Sequence, residues 1–280
     1  MSKRGLGACA LAGLITAAAA AGGADTGPGL TAAQIVEKNV AARGGLEAWR
    51  KIQTMTWTGH IETGNPAAPI VPFVFELKRP NKTRFEIREE QDRVVRVFDG
   101  SLGWKVRASR SGAPAVKPYT AEELRSAHEA QGIDGLLIDH QAKGIEVALD
   151  GSDEVEGRKA YRLAVTLPSG SLRHVWVDAD TFLELKYDRR SHGPAGRGGT
   201  VTVSYRSYRA IDGLQIPMTI ETGSPGRGVE KMVIDNVTLN PLLSNARFAR
   251  PNDVGPHHAL PGLRTDSPAG SDAPRAMESK

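Results

Sequence analysis

A histidine next to a glutamate is the first place to look for metal chemistry in this sequence. His128-Glu129 begins like the His-Glu-x-x-His helix of zinc proteases, in which two histidines one turn apart bind the metal. The position of the second histidine is occupied by Gly132, so the pattern favours an ordinary solvated helix. The pair His257-His258 lies in a tail rich in Pro, Gly and Ser. The sequence therefore predicts no metal site and no bound cofactor.

Motifs for a nucleophile or for phosphate binding fail on their spacing. Gly100-Ser101-Leu102-Gly103 contains a serine between glycines, but not in the Gly-x-Ser-x-Gly register of a nucleophile elbow. Residues 223–228 are rich in glycine but lack the lysine and hydroxyl pair that ends a phosphate-binding loop. Cys9 is the only cysteine. We therefore expect a protein that is not an enzyme.

The N-terminal segment predicts export. Lys3 and Arg4 precede an uncharged, mostly apolar stretch that runs to Ala24, which is the order of a secretory signal peptide. We expect cleavage after Ala24 or Ala21, and therefore a mature protein in the periplasm. Only four residues separate Arg4 from Cys9, fewer than the ~7–15 residues of a signal-peptide apolar region, so we do not expect lipidation at Cys9.

Composition indicates one domain without disulfides. Once the signal peptide at 1–24 is removed, no cysteine remains and the formal charge falls from +4 to +2. A balance this small gives no reason to expect a nucleic-acid partner. Residues 25–250 are numerous enough to bury a core of their own. Residues 251–280 contain few large apolar side chains, which predicts a disordered tail.

The rest of the chain is dominated by alternating strands. Between Thr54 and Asn240 polar and apolar residues exchange with period two, as in 71–78, where Val71, Phe73 and Leu77 share one face. About twelve such segments, separated by turn sequences, predict a large antiparallel sheet with one apolar face. Thr31 and Thr120 are N-cap candidates for helices that precede and interrupt the strands. The residues 133–142 are expected to add a third helical segment.

The width of this sheet restricts the architecture. About twelve strands spaced ~4.8 Å apart span more than ~50 Å, so the sheet must curl. Helices of roughly 15–20 Å cannot cover such a face completely. Two α+β arrangements remain open: a large curved antiparallel sheet, as an unclosed half-barrel with a helical lid, or two sheets packed into a sandwich.

Five segments follow one another along the chain in a particular order and spacing. They are Ala41-Ala42-Arg43-Gly44-Gly45-Leu46, Pro80-Asn81-Lys82-Thr83-Arg84, Asp99-Gly100-Ser101-Leu102-Gly103-Trp104, Gly157-Arg158-Lys159-Ala160-Tyr161-Arg162-Leu163 and Asp212-Gly213-Leu214-Gln215-Ile216-Pro217. In this order they resemble segments of the LolA/LolB-like outer-membrane lipoprotein-sorting proteins, and the resemblance covers about residues 32–251.

This resemblance implies a half-barrel wrapped around a helical lid, with an apolar cavity for acyl chains. It implies a monomeric periplasmic carrier of a lipid or an acylated protein, which exchanges its ligand with a membrane-bound donor or acceptor protein. The alternative is a protein of the same fold that acts as a sensor or interaction module and carries no lipid.

The apolar strand faces and the lid supply the expected lining of the cavity. Aromatic residues make up only 5% of the chain, so most of the lining is expected to be aliphatic. The expected lining residues are Phe73, Phe75, Phe85, Val95, Val97, Trp104, Leu136, Leu137, Leu163, Val165 and Val175.

Basic residues in the early strands leave two interpretations open. They form either a basic rim that meets lipid headgroups or an acidic partner, or an ordinary wet face interleaved with carboxylates. These residues are Arg84, Arg88, Arg93, Arg96 and Lys105.

We expect the exported protein to begin near Asp25 with no acyl group on Cys9, because the long apolar run after Cys9 would serve no purpose in a lipoprotein. N-terminal sequencing and intact-mass measurement of the exported form check this. A Cys9→Ser variant is the matched control and should be exported and cleaved like the parent protein. A mature chain that begins with a diacylated Cys9 would contradict the prediction.

Overall fold

All thirteen strands of the described residues belong to one antiparallel sheet. The computed structural model describes residues 29–63, 69–88, 92–109, 115–130, 132–191, 199–224 and 228–250. The expected signal peptide and tail therefore lie outside the described residues. The strands are β1 (Thr54–Glu62), β2 (Ile70–Lys78), β3 (Lys82–Arg88), β4 (Asp92–Phe98), β5 (Gly103–Ser109), β6 (Ala115–Pro118), β7 (Glu146–Val155), β8 (Arg158–Thr166), β9 (Leu172–Asp178), β10 (Glu184–Ser191), β11 (Gly199–Ile211), β12 (Leu214–Ser224) and β13 (Gly228–Leu239).

The sheet is open. Its order is β6-β5-β4-β3-β2-β1-β13-β12-β11-β10-β9-β8-β7, so hairpin neighbours in sequence are neighbours in space, and β1 joins β13. The two edge strands β6 and β7 have no bond to each other. One continuous sheet is found in place of a two-sheet sandwich, which confirms the predicted unclosed antiparallel arrangement. The edge strand β6 was not predicted, because its four residues are too few to show a period.

The predicted N-caps are confirmed. Helix α1 (Ala32–Ala42) starts after Thr31, and helix α3 (Ala121–Glu129) starts after Thr120. Each threonine forms a capping box, in which its hydroxyl accepts from the third helical N–H and that residue's side chain returns to the cap. A short helix, α2 (Leu46–Arg50), lies between α1 and the first strand.

The expected helix over 133–142 is wrong. Residues 132–144 form consecutive turns, and we call them the turn segment. Gly135 and Asp139 have φ angles of 77° and 52°, in the left-handed region that an α-helix does not use. The segment nevertheless buries Ile133, Leu137 and Ile138, so its apolar residues reach the core without a helical period.

The helices and the turn segment cover one face of the sheet, which we call the inner face. At one side Ile35 and Val36 of α1 pack with Leu163 and Val175 of β8 and β9. Towards the middle of the sheet, a second cluster joins α2 and the turn segment to the central strands. Its members include Trp49, Ile52, Met55, Leu77, Ile133, Ile138, Leu214 and Ile216.

The outer face has its own small apolar cluster, covered by the end of the described chain. A 3₁₀ helix (Asn245–Phe248) places Phe248 against strands β4 and β5, where its side chain has no exposed surface. The carbonyl of Leu243 accepts a hydrogen bond of 2.6 Å from Lys78 Nζ. Arg247 binds the buried carboxylate of Glu76 at 2.6 Å. Residues up to Phe248 are therefore part of the fold.

Phe248→Ala should lower the free energy of unfolding by about 3 kcal/mol, because it leaves a cavity in a fully buried site. Leu242→Ala is the matched control, since Leu242 is fully exposed, and should have almost no effect. Urea unfolding followed by circular dichroism measures both. Equal effects of the two substitutions would show that the 3₁₀ helix with Phe248 does not pack on the sheet in solution.

Candidate ligand-binding site

Three of the expected aromatic lining residues meet on the inner face. Phe75 lies opposite Phe85 across β2 and β3, and opposite Trp57 across β2 and β1. The rings of Phe75 and Phe85 make an edge-to-face contact at 5.4 Å between centroids, and Phe73 lies 5.7 Å from Phe85. Phe73 is buried, whereas Phe75 and Phe85 are partly exposed.

The expectation that Val95, Val97 and Trp104 face the same cavity is wrong. Val95 lies opposite Glu86 and Val97 lies opposite Arg84. Residues directly opposite in an antiparallel pair point to the same side, and neighbours along a strand point to opposite sides. Because Phe85 is on the inner face, both valines are on the outer face. Trp104, opposite Val97, follows them.

The reason for this error lies in the composition of β4. Its residues Val94, Val95, Val97 and Phe98 are apolar on both faces, so alternation alone does not show which face is inner. Val95 and Val97 pack with Phe248, which belongs to a segment far away in sequence. The outer face of this strand is apolar because the 3₁₀ helix with Phe248 covers it.

The remaining five expected residues form a closed core. Leu136 and Leu137 of the turn segment pack against Leu163, Val165 and Val175 of β8 and β9, together with α1. At most 7% of any of these side chains is exposed. They form the buried core between α1 and the sheet. The expected single lining is thus divided among three separate clusters.

A further set of inner-face side chains is only partly covered. All of them lie on strands with neighbours on both sides, so their exposed surface must face the space inside the sheet. Phe75 and Phe85 were expected there, and five others were missed. The complete set, which we call the open patch, is Phe75, Phe85, Ile87, Tyr187, Tyr205, Ile220 and Met232.

Alternation in the sequence places the missed residues on one face of their strands, but it does not distinguish them from inward residues that are buried. They alternate with polar neighbours as other strand residues do, so period two places them on a face. Ile220 lies opposite both Tyr205 and Met232, and these pairings join strands in a continuous row. Which inward side chains remain uncovered depends on where the helices lie.

Two tyrosines of the open patch lie close together on the inner face. The rings of Tyr187 and Tyr205 lie 6.0 Å apart between centroids. Burial raises the pKa of both hydroxyl groups, that of Tyr205 strongly. Both side chains are nevertheless partly exposed to solvent. The inner face is therefore not completely covered at β10 and β11.

A buried ion pair ties α1 to the sheet. Arg43 Nη1 lies 3.1 Å from Glu184 Oε2, and only 6% of each side chain is exposed. Arg43 also donates to the carbonyl of Gln215 and stacks on Trp49. Burial raises the pKa of Glu184, against the opposing effect of Arg43. A pair so deeply buried is costly to break, because either partner alone leaves an uncompensated charge.

The turn segment is held by a second buried carboxylate. Asp134 binds Arg79 at 2.6 Å and Lys143 at 2.6 Å. Lys143 Nζ also donates to the carbonyls of Gly135 and Ile138. These contacts fix the turn segment at its Asp134 and Lys143 side chains.

The five basic residues of the early strands are all paired with carboxylates. The partners of the buried Glu86 on the outer face are Arg84, Arg88 and Arg93. On the inner face Glu123 of α3 binds Arg96 at 3.1 Å and Lys105 at 2.8 Å. These pairs neutralise the charges locally. The structure therefore favours interleaved pairing over a free basic rim.

The candidate metal motif has structural contacts in place of ligands. Glu129 accepts hydrogen bonds from Ser169 and Ser171 and pairs with Arg173. The His128 ring packs against Phe98 at 5.1 Å. Within the described part of the chain, no three His, Cys, Asp or Glu side chains are grouped to hold a metal ion. Within the same residues, no helix has the length and apolarity needed to cross a membrane.

Solved structures with this architecture identify the fold. A LolA superfamily protein from Nitrosomonas europaea is 15% identical, with a TM-score of 0.51 over 79% of this chain and 98% of that one. The chain has the LolA fold. A DUF1329 family protein from Desulfovibrio piger is 16% identical, with a TM-score of 0.44 over 78% of this chain and 97% of that one. No protein-family model matches the sequence, and no curated protein matches it.

The free energy of unfolding should depend on pH through Glu123 of helix α3. Partial burial alone raises the pKa of this carboxyl, but hydrogen bonds from Lys105, the Thr120 N–H and Arg96 outweigh it and lower the pKa to about 2. The ordinary value is 4.5, so the stabilisation is complete above about pH 4.5 and is lost as the pH falls towards 2.

Glu123→Gln should therefore destabilise the protein at pH 7, and the difference from wild type should shrink to near zero at pH 2. Glu122→Gln is the matched control on the same helical turn, because Glu122 is exposed. Urea unfolding at a series of pH values measures both. A Glu123→Gln effect that stays constant from pH 7 to pH 2 would rule out this linkage.

Proposed function

We propose that this protein binds acyl chains on the inner face of its half-barrel and carries a lipid or an acylated protein. The observation that supports the proposal is the open patch, which leaves apolar surface uncovered on the central strands. Side chains such as Phe75 and Ile220 lie inward, beneath a partial cover of short helices. Apolar surface that a fold leaves uncovered in a recess is typical of a ligand site.

The energetics suit an acyl chain. Burial of each methylene contributes about 0.8 kcal/mol, so a chain of about ten methylenes gains roughly 8 kcal/mol before the cost of ordering it is subtracted. No directional contact is needed for this gain. A site without catalytic groups is therefore sufficient for the task.

The proposed cellular setting follows from the N-terminal sequence. Cleavage of the signal peptide at 1–24 would release the domain at 25–250 into the periplasm as a soluble monomer. A carrier of acyl chains there would take its ligand from one membrane-bound protein and pass it to another. A sensor or interaction module of the same fold would leave the recess empty of lipid.

Ile220→Lys should weaken binding of a fluorescent fatty-acid probe at least tenfold, because it places an unpaired charge in the open patch. Thr219→Lys is the matched control. Thr219 is the adjacent residue on β12 and lies opposite Val233 on the outer face, so this substitution adds the same charge outside the recess. Fluorescence titration gives the affinities, and thermal unfolding confirms that both variants are folded.

Native mass spectrometry of the wild-type protein, purified without detergent, provides a second readout. A retained lipid supports the carrier. If the wild-type protein neither retains lipid nor binds the probe at micromolar concentration, the proposal fails and the sensor or interaction module is favoured. If both lysine variants lose the same affinity, the inner face is not the site.

A further inference from the structure

The cationic side chain of Arg189 lies on the inner face, next to Tyr187 of the open patch. Arg189 lies opposite Val201, and Tyr187 lies opposite Val203, across β10 and β11. Because Arg189 and Tyr187 are two residues apart on one strand, they point to the same side. Burial raises the pKa of the Tyr187 hydroxyl, and the nearby positive charges of Arg173 and Arg189 oppose this effect.

This charge has no acidic partner among the described residues. The nearby Arg173, whose guanidinium lies 5.9 Å from the centre of the Tyr187 ring, is neutralised by Glu129 at 3.0 Å. The carboxylate of Asp188 lies on the outer face and binds His174 at 3.2 Å. Arg189 is therefore a partly buried guanidinium that none of the described carboxylates neutralises.

The side chains next to Arg189 become apolar along one direction of the sheet. The ring of Tyr187 is followed by that of Tyr205 at 6.0 Å. Tyr205 lies opposite Ile220, and Ile220 lies opposite Met232. A row of side chains thus runs across four strands from a cation through two phenols to aliphatic surface. This is the polarity of an amphiphile with one charged end.

We propose that Arg189 binds the anionic headgroup of an acyl ligand, a carboxylate or a phosphate, whose chain lies along the open patch. This inference rests on the proposed acyl-binding function and adds the chemical class of the ligand. A guanidinium binds either anion through two parallel hydrogen bonds. Tyr187 lies two residues from Arg189 on the same face of β10, and its hydroxyl can donate a further hydrogen bond to the same group. An anion would also compensate a charge that is expensive to keep partly buried alone.

Three amphiphiles with the same twelve-carbon chain test this inference. Laurate has a carboxylate, lauroyl lysophosphatidate has a phosphate, and monolaurin is neutral. Isothermal titration calorimetry below their critical micelle concentrations gives the affinities. The wild-type protein should bind at least one of the two anions about tenfold more tightly than monolaurin, and the preferred anion identifies the headgroup.

The neighbouring arginine offers a matched control. Arg190 lies opposite Thr200 on the outer face and is exposed. Arg189→Gln should remove the preference for the anion and leave the affinity for monolaurin unchanged. Arg190→Gln removes the same charge from the same strand and should preserve the preference.

The outcomes separate this inference from the function on which it rests. Equal wild-type affinities for all three amphiphiles, or equal effects of the two glutamine variants, would overturn the headgroup site and leave acyl binding intact. Binding of none of the amphiphiles would overturn the proposed function itself.

Discussion

The structure depends on one geometric constraint: the inner face of a thirteen-strand sheet is larger than its short helices can cover. Helix α1 closes one part of the face over β8 and β9. Helix α2 and the turn segment close another part over the central strands. These segments do not completely cover the open patch, and its aromatic and aliphatic side chains stay in contact with solvent. The open patch is thus a consequence of covering a wide curved sheet with little helix.

Buried charge pairs hold the cover in place. Arg43 and Glu184 join α1 to β10, while Asp134 joins the turn segment to Arg79 at the end of β2. Such pairs add little net stability compared with apolar packing. A shift of the covering segments would nevertheless be costly, because it would leave a buried charge without its partner. The same logic applies outside, where Glu86 is surrounded by three arginines.

Local structure was predictable wherever contacts between neighbours in sequence decide it. Capping boxes at Thr31 and Thr120 need only residues three apart, and the strands need only alternation, so both were predictable. The turn segment was not, because its leucines imitate a helical stripe while Gly135 and Asp139 take left-handed conformations. The inner face of β4 was also beyond prediction, since apolar residues occupy both of its faces and the cover of Val95 and Val97 comes from Phe248.

The sequence by itself determined the alternation, the hairpin order and hence antiparallel pairing of most strands, because these rest on contacts between chain neighbours, but it left open one sheet or a two-sheet sandwich. It also indicated an apolar interior and the absence of a recognisable catalytic motif. Only the tertiary structure decided which apolar side chains are packed and which are open. That division depends on pairing between distant strands, such as β1 with β13, and on where α1 and the turn segment come to lie. The position of Arg189 and Tyr187 beside Tyr205 depends in addition on the register of β10 and β11.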